Sequence, residues 1–272
     1  MNFRNAISAA TFSLGLLATS AAHALPVAVA TWDFNGTLAA NEGGVPALTA
    51  INPLGTNAFV TDTVFGVSRT VYQFNGNNLP VNQQAGVSVA TAGLLASANA
   101  YSVDMIFKFN SPDVTSWESI LNTSNRTSDN AFYVEPGHTL QVYPVGNGPN
   151  IFTRDVYHRV SLTNNGAGHV TAYFDGVFQF DLLTTNVMDF TTYGLANPNN
   201  VMTFFADNVQ GGGQGEYASG AVALIRLFNG ELSQTDVAQL PTNPGGTVPE
   251  PGSLLLAGLS LAALGLNRRR KQ

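Results

Sequence analysis

Residues 157–182 read YHRVSLTNNGAGHVTAYFDGVFQFDL, and this stretch decides the fold. Apolar and polar residues alternate on both sides of Asp175-Gly176. Such alternation is typical of half-buried β-strands, and Asp-Gly between two alternating segments is a strong signal for a hairpin. A further turn is predicted at Asn164-Asn165-Gly166, after a strand in which Val160 and Leu162 share one face. The stretch therefore predicts consecutive antiparallel strands.

The same period of two recurs outside this stretch. Tyr101–Phe109 carries apolar side chains on one face, and shorter alternating segments surround Trp32-Asp33-Phe34 and Tyr72-Gln73-Phe74. Ala221–Phe228 is apolar on both faces, which predicts a central, covered strand. Many short strands separated by glycine and asparagine turns predict an all-β sandwich or jelly roll.

One short helix is predicted after the last strand, over residues 233–240. Ser233 is a favourable N-cap with Asp236 three residues later, and Leu232 is placed to pack against Val237. We expect Val237 and Leu240 to pack on the sandwich. Capping is therefore the favoured role of Asp236.

Two segments resemble laminin-G-like, concanavalin A-like jelly rolls. The first is the pair of strands in residues 157–177, and the second is Tyr217–Ser233, which is similar to the closing strand and the start of the last helix. The likeness covers about residues 30–240, although Tyr157 stands where the family usually has tryptophan. It implies a laminin-G-like jelly-roll domain, which we place at residues 25–240.

The first 24 residues have the pattern of a secretory signal peptide. Arg4 precedes an apolar stretch from Ala6 to Ala18, and Ala22-His23-Ala24 has the small residues that a signal peptidase requires. We expect cleavage after Ala24. The chain is then an exported protein.

The last residues combine an uncharged apolar segment with a basic end. Residues 252–266 carry no charge, and Arg268, Arg269, Arg270 and Lys271 follow. Fifteen such residues are fewer than the roughly 20 that span a bilayer comfortably, but the flanking cations can reach the headgroups. Cations remain on the cytoplasmic side, so the preceding domain is expected to face outward. Residues 241–248 have the composition of an extended linker.

The order of motif, apolar segment and basic end resembles the PEP-CTERM sorting signal of Gram-negative bacteria. Pro249, Glu250 and Pro251 form the motif, residues 249–272 form the whole signal, and Arg268, Arg269 and Arg270 lie in its basic end. The resemblance implies transient insertion in the inner membrane and processing by an exosortase. It also implies a final location at the cell surface or in an extracellular polysaccharide matrix.

Composition excludes several functional classes. Residues 25–249 contain six cations and sixteen carboxylates, which gives a net charge of −10. A surface of this charge repels nucleic acid and anionic lipid. Cysteine is absent, so neither a disulfide nor a thiol nucleophile is available.

The sequence predicts no catalytic residues. Glycoside hydrolases need two carboxylates close together across a cleft, and Glu118, Glu135 and Glu216 are each isolated in the sequence. No serine elbow lies near His138 or His158. These histidines and His169 are expected to be solvent-facing strand or turn residues. A non-catalytic protein is therefore favoured.

A candidate Ca²⁺ site lies in the glycine-rich segment 205–217. Asp207, Asn208 and Glu216 surround Gly211–Gly213, and a flexible loop can present several of the oxygens that Ca²⁺ prefers. The alternative is a polar hairpin loop in which the glycines only permit the turn. Two carboxylates are few for a tight site, which favours the alternative.

Sugar sites combine polar groups with aromatic platforms, and three polar loops have aromatic residues nearby. The loops are residues 122–130, 197–200 and 207–216, and the aromatic candidates are Trp117, Tyr143 and Tyr193. Trp117 is equally consistent with a core position. The ligand-binding residues themselves are not identified by the sequence.

Three functional classes remain. A non-catalytic glycan- or matrix-binding module is favoured, with extracellular polysaccharide or a matrix protein as partner. A structural component of an extracellular polymer is second, and a glycoside hydrolase-like enzyme is third.

Overall fold

The hairpin predicted at Asp175-Gly176 is present in the computed structural model. Strands His169–Phe174 and Val177–Leu183 pair antiparallel across a two-residue turn. Asp175 and Gly176 have φ angles of +50° and +79°, as a type I′ turn requires. The preceding strand, His158–Asn165, pairs with His169–Phe174, so this part of the prediction is confirmed. The structure describes residues 25–76, 83–111, 117–184, 186–211 and 216–242.

Within these ranges the chain is almost entirely β. Its strands, in chain order, are β1 (Ala30–Trp32), β2 (Thr49–Ile51), β3 (Ala58–Val64), β4 (Val67–Asn75), β5 (Gly86–Ala90), β6 (Ala100–Phe109), β7 (Glu118–Asn122), β8 (Phe132–Val134), β9 (Thr139–Val142), β10 (Gly146–Ile151), β11 (His158–Asn165), β12 (His169–Phe174), β13 (Val177–Leu183), β14 (Val201–Phe204) and β15 (Ser219–Asn229). The helix α1 (Gln234–Gln239) follows β15, and two short 3₁₀ turns lie at Phe190–Thr192 and Gly194–Ala196. The all-β prediction with one short C-terminal helix is confirmed.

The strands form two antiparallel sheets. The first sheet has the order β13-β12-β11-β6-β15-β4-β3, with β1 also paired to β15. The second sheet has the order β10-β9-β8-β7-β14-β5-β2. Neighbours in each sheet are often distant in sequence, as in a jelly roll.

The largest apolar cluster of the described residues joins the two sheets. Tyr101, Val103, Met105, Phe107 and Phe109 of β6 all belong to it, together with side chains from β5, β7, β8, β9 and β14. This confirms that one face of the predicted strand is apolar. Alternation places these side chains on the inner face, where their burial supplies the main driving force for folding.

Strand β15 is the covered central strand that its composition predicts. It lies between β6 and β4 in the first sheet, and its residues from Gly220 to Phe228 are buried. The helix α1 packs nearby through Val237 and Leu240, which form a cluster with Leu232 and Phe228. These contacts confirm the predicted packing of the helix.

The N-terminus of α1 has the predicted cap. The Ser233 hydroxyl accepts a hydrogen bond from the backbone N–H of Asp236 at 3.2 Å. In return, the backbone N–H of Ser233 donates to the Asp236 carboxylate at 2.8 Å. This reciprocal pair satisfies two donors that the first turn would otherwise leave unbonded. Asp236 therefore has a structural role.

The outer face of β6 carries a buried ion triad. Asp104 on this face is completely buried. Its Oδ1 accepts from Arg159 at 2.7 Å, and its Oδ2 accepts from Arg226 at 2.7 Å. The two guanidinium groups also donate to the backbone oxygens of Leu240 and Pro241. The chain after α1 covers these charges, so the ion triad fixes the C-terminal end of the described domain.

The expectation that His158 faces solvent is wrong. Its ring lies 4.8 Å from the ring of Phe152 and 4.6 Å from that of Phe174, and the residue is buried. Its ring nitrogens contact Asp175 Oδ2 at 2.8 Å and the Thr153 backbone oxygen at 3.0 Å. The residue is thus a core histidine with both ring nitrogens satisfied.

Leu25–Val248 forms one compact unit by its internal contacts. The predicted signal peptide, residues 1–24, lies outside the described residues, as do the sorting signal, residues 249–272, and residues 243–248 of the predicted linker. Among the described residues, no helix has the length and apolar character needed to cross a membrane.

Candidate functional site

The loop at residues 122–130 contacts the segment that contains residues 197–200. The side-chain amide of Asn197 donates to the Thr123 backbone oxygen at 2.7 Å. The amide of Asn125 donates to the Ala196 backbone oxygen at 3.2 Å. Two of the three polar loops singled out in the sequence therefore lie side by side.

The third loop, residues 207–216, also contacts residues 122–130. Arg126 Nε donates to the Asp207 backbone oxygen at 2.6 Å, and the Val209 N–H donates to the Arg126 backbone oxygen at 3.0 Å. Residues 122–130 thus contact both of the other loops. Residues 212–215 of the third loop, including Gly212 and Gly213, lie outside the described residues.

A small cavity opens beside this contact. Its volume is about 180 Å³, and it is lined by Trp117, Asp129, Tyr133, Tyr143 and Glu216. We call it the aromatic pocket. It is smaller than the roughly 300–1,000 Å³ of sites that enclose drug-sized ligands. It therefore suits one ring or terminal group of a larger ligand.

The Trp117 ring contacts the other two aromatic rings of the pocket edge to face. The Trp117 ring centroid lies 5.5 Å from that of Tyr133 and 5.2 Å from that of Tyr143, with interplanar angles of 78° and 72°. Trp117 and Tyr143 are partly buried. Trp117 therefore lies at a wall of the pocket and not wholly in the core. Tyr193, the third aromatic candidate, donates its hydroxyl to the Val187 backbone oxygen and is not a lining residue.

Three carboxylates meet at the pocket. Asp129 comes from the loop between β7 and β8, Asp207 follows β14, and Glu216 precedes β15. One carboxylate oxygen of each lies within 4.8 Å of those of the other two. Asp129 and Glu216 line the pocket, whereas Asp207 is completely buried. We call this group the acidic cluster.

The buried member of the cluster is held by a tyrosine. The Tyr133 hydroxyl lies 2.7 Å from Asp207 Oδ1 and 2.8 Å from the Asp129 backbone oxygen. Burial, with a smaller contribution from Glu216, raises the pKa of Asp207 to about 8, against the hydrogen bonds from Tyr133 and from the Asn208 backbone N–H. The site thus brings ionisable oxygens together in a poorly solvated place.

Two of the three residues suggested for calcium, Asp207 and Glu216, come together in this cluster with Asp129. The side-chain amide nitrogen of Asn208 donates to the backbone oxygens of Gly211 and Gln210. In the sequence, Asp129 lies in the polar loop of residues 122–130, but nothing there marks it as a ligand. Its neighbours in space follow it in the chain by about 80 positions.

The prediction of no catalytic residues assumed that Glu216 has no carboxylate neighbour, and this assumption does not hold in the fold. Glu216 is isolated in the sequence but belongs to a group of three carboxylates in the fold. The other two glutamates have structural contacts. Glu118 accepts from Arg154 at 2.7 Å, and Glu135 accepts from the Gly137 N–H and the Thr139 hydroxyl at a turn.

Comparison with solved structures shows the fold alone. Domain 4 of AbnA, a GH43 extracellular arabinanase from Geobacillus stearothermophilus solved in complex with arabinotriose, matches with a TM-score of 0.55 and 17% identity. The match covers 79% of this chain and 98% of that one. A botulinum neurotoxin type C structure, whose description concerns cell entry through two ganglioside molecules, matches with a TM-score of 0.51 and 12% identity. This match covers 78% of this chain and 50% of the toxin chain, so the protein spans about half of the toxin structure.

These neighbours are β-sandwich domains, in agreement with the jelly-roll prediction. The finer laminin-G-like assignment stays a prediction. No curated protein matches the sequence.

The C-terminal prediction has independent support. Residues 247–271 match the model of the PEP-CTERM protein-sorting motif. This range contains the predicted motif Pro249, Glu250 and Pro251 and the cations Arg268, Arg269 and Arg270. Proteins with this signal are exported by Gram-negative bacteria and sorted through an exosortase. A β-sandwich of the jelly-roll type and a PEP-CTERM protein-sorting motif are therefore joined in one exported chain.

Proposed function

We propose that this protein is a non-catalytic glycan-binding module of the cell surface or extracellular matrix, and that the aromatic pocket holds one sugar residue of the glycan. The observation that carries the proposal is the meeting of Trp117, Tyr133 and Tyr143 with Asp129 and Glu216 around one cavity. Exosortase processing of the tail would place this pocket outside the cell.

The chemistry of the pocket suits a sugar ring. Trp117 and Tyr143 are only partly buried, and sugar rings have apolar C–H faces that pack on exposed aromatic surface. Asp129 and Glu216 can accept hydrogen bonds from hydroxyl groups, and bonds to a charged acceptor are stronger than those between neutral groups. Sites for small ligands usually have aromatic walls with a small number of polar groups among them.

The similar structures support a binding role. Arabinotriose is bound in the arabinanase domain, and the toxin is described as entering cells through gangliosides. The arabinanase domain is matched over 98% of its length and so gives the stronger support, because only half of the toxin chain is matched. At 17% and 12% identity, however, these matches select no particular glycan for this chain.

Glycoside hydrolysis is the second candidate, since the acidic cluster brings carboxylates close together. Retaining glycosidases have two carboxyl groups about 5–5.5 Å apart, one of which must protonate the leaving oxygen. Asp207 is the member whose pKa is raised to about 8, so in the absence of a bound cation it would carry the proton at neutral pH. It is completely buried and does not line the pocket. This position keeps its proton from a glycosidic oxygen and favours binding over hydrolysis.

Affinity electrophoresis of the full-length chain tests the proposal. Gels containing neutral arabinan should retard the protein, and Trp117→Ala should weaken retardation at least tenfold. Phe178→Ala is the matched control, because Phe178 is an aromatic residue on β13 that is 46% exposed and does not line the pocket. Equal retardation of wild type and Trp117→Ala would contradict the proposed site. Release of reducing ends from the polysaccharide, lost in Glu216→Gln, would establish the hydrolytic alternative.

A further inference from the structure

The acidic cluster contains carboxylate oxygens that are buried without a hydrogen-bond donor. Asp207 Oδ1 accepts from Tyr133, but no hydrogen bond reaches Asp207 Oδ2 from the described residues. Glu216 Oε2 is likewise buried and receives no hydrogen bond from the described residues. A buried polar atom without a partner costs about 1–3 kcal/mol, and more if it is charged, so native proteins seldom retain one.

The two carboxylates lie close together, with one oxygen of Asp207 and one of Glu216 within 4.8 Å of each other. Two ionised carboxylates are both acceptors, so they attract one another only with a proton or a cation between them. The nearby guanidinium of Arg126 does not serve this purpose for Asp207, because it donates to the backbone oxygen of Asp207 and to Gln84 Oε1.

We infer that Asp129, Asp207 and Glu216 bind one divalent cation of the calcium class at the base of the aromatic pocket. Ca²⁺–oxygen distances are about 2.3–2.6 Å, so oxygens on opposite sides of one ion lie about 5 Å apart. The three ligand oxygens lie within 4.8 Å of one another, so a single ion can contact all of them. Mg²⁺ requires near-ideal octahedral geometry and usually keeps several waters, so three carboxylates from three separate segments suit the more tolerant Ca²⁺ better.

The cation would leave room for a ligand. Ca²⁺ takes six to eight oxygens, and three carboxylates supply part of this number. Asp129 and Glu216 line the pocket, so further coordination positions would face it and accept water or sugar hydroxyls. This part of the inference rests on the proposed glycan-binding function. A cation here would also reduce repulsion between an anionic glycan and a domain of net charge −10.

Calcium binding can be measured without any glycan. The full-length chain in a non-ionic detergent is freed of metal with chelator and titrated with CaCl₂ alone, by calorimetry and by thermal unfolding. The wild type should bind one Ca²⁺ per chain and melt at a higher temperature in millimolar Ca²⁺ than in millimolar Mg²⁺. Asp207→Asn should weaken Ca²⁺ binding at least tenfold, while its side-chain oxygen can still accept the Tyr133 hydrogen bond.

A control variant shows whether a loss of Ca²⁺ binding comes from the site itself or only from the change in net charge. Asp181→Asn removes one charge from an exposed carboxylate on β13 that pairs with His169, and it should bind Ca²⁺ like the wild type. No calorimetric binding by wild type, or equal binding by Asp207→Asn and wild type, would overturn the inference. Glycan binding is measured in a separate experiment, as retardation of the protein in uronic-acid polysaccharide gels with and without chelator. Calcium binding without retardation in either these gels or the arabinan gels would uphold the cation site and refute only the glycan-binding function.

Discussion

The hydroxyl of Tyr133 lies 2.7 Å from Oδ1 of Asp207, a residue 74 positions later in the chain. The same hydroxyl lies 2.8 Å from the backbone oxygen of Asp129. One tyrosine thus positions two members of the acidic cluster. Its ring also forms part of the aromatic pocket, so the geometry of pocket and cluster depends on one side chain.

Tyr133→Phe should therefore destabilise the protein. The change retains the ring and removes the hydroxyl, which leaves the buried Asp207 Oδ1 without its donor. An unsatisfied buried acceptor costs about 1–3 kcal/mol. The free energy of unfolding from urea titration measures the loss. Tyr143→Phe makes the same change at the partly buried tyrosine of the pocket and should cost less than about 0.5 kcal/mol, because water can solvate that position. Equal effects of the two variants would contradict the role of Tyr133.

Asp104→Asn should have a larger effect. Asp104 is completely buried between Arg159 and Arg226, so neutralising it leaves two buried guanidinium groups without their counter-charge. Breaking a buried ion pair in this way costs about 3–5 kcal/mol. The comparison variant is Asp62→Asn, which breaks a partly exposed pair with Lys108 and should cost about 1 kcal/mol or less. A cost below that of Asp62→Asn, in the same urea titration, would show that the triad does not stabilise the fold.

The same triad predicts how stability changes in acid. Burial by itself would raise the pKa of the Asp104 carboxyl, but Arg226 and Arg159 lower it below the ordinary value of 3.8. A carboxyl with a lowered pKa binds fewer protons folded than unfolded, so its contribution to stability is complete above about pH 4 and is lost as the pH falls below it. Melting temperatures between pH 5 and pH 2 should therefore fall more steeply for wild type than for Asp104→Asn. Parallel curves would contradict this assignment.

The fold was predictable where its signals are local. Asp175-Gly176 specifies its own turn, and the Ser233–Asp236 cap is set within four residues. The outer face of β6 was not predictable in the same way, because the residues that cover Asp104 belong to the segment after α1. His158 was assigned wrongly because its aromatic neighbours are not adjacent in the sequence.

The candidate site depended still more on distant contacts. The sequence identified the polar loops, two of the aromatic lining residues and two members of the acidic cluster. Asp129 joins that cluster because its loop contacts the segment after β14, through hydrogen bonds between Arg126 and the backbone of Asp207 and Val209. No periodicity or motif indicates such contacts between segments that are distant in the sequence. The sequence pattern likewise predicts no more for Tyr133 than an ordinary strand residue.

The sorting motif predicts a processing phenotype. Glu250→Ala, or deletion of Arg268–Lys271, should prevent exosortase processing and leave the uncleaved protein in the membrane fraction, since the motif at residues 247–271 would be incomplete. Asn243→Ala lies outside this range and should be processed normally. Fractionation and mass spectrometry of the exported protein distinguish these forms. Identical release of all variants would show that the motif does not direct processing.

Whether Trp117 forms the wall of a glycan site is tested most directly by tryptophan fluorescence. The chain has two tryptophans, and Trp32 is completely buried in the core, so a ligand in the aromatic pocket should affect the emission of Trp117 alone. Titrating the calcium-loaded, full-length protein with arabino-oligosaccharides and uronic-acid oligosaccharides should give a saturable shift to shorter wavelength for at least one series. The shift should disappear in Trp117→Phe and persist in Trp32→Phe. Saturable glycan binding with unchanged Trp117 emission, or a shift that survives in Trp117→Phe, would contradict binding at this pocket.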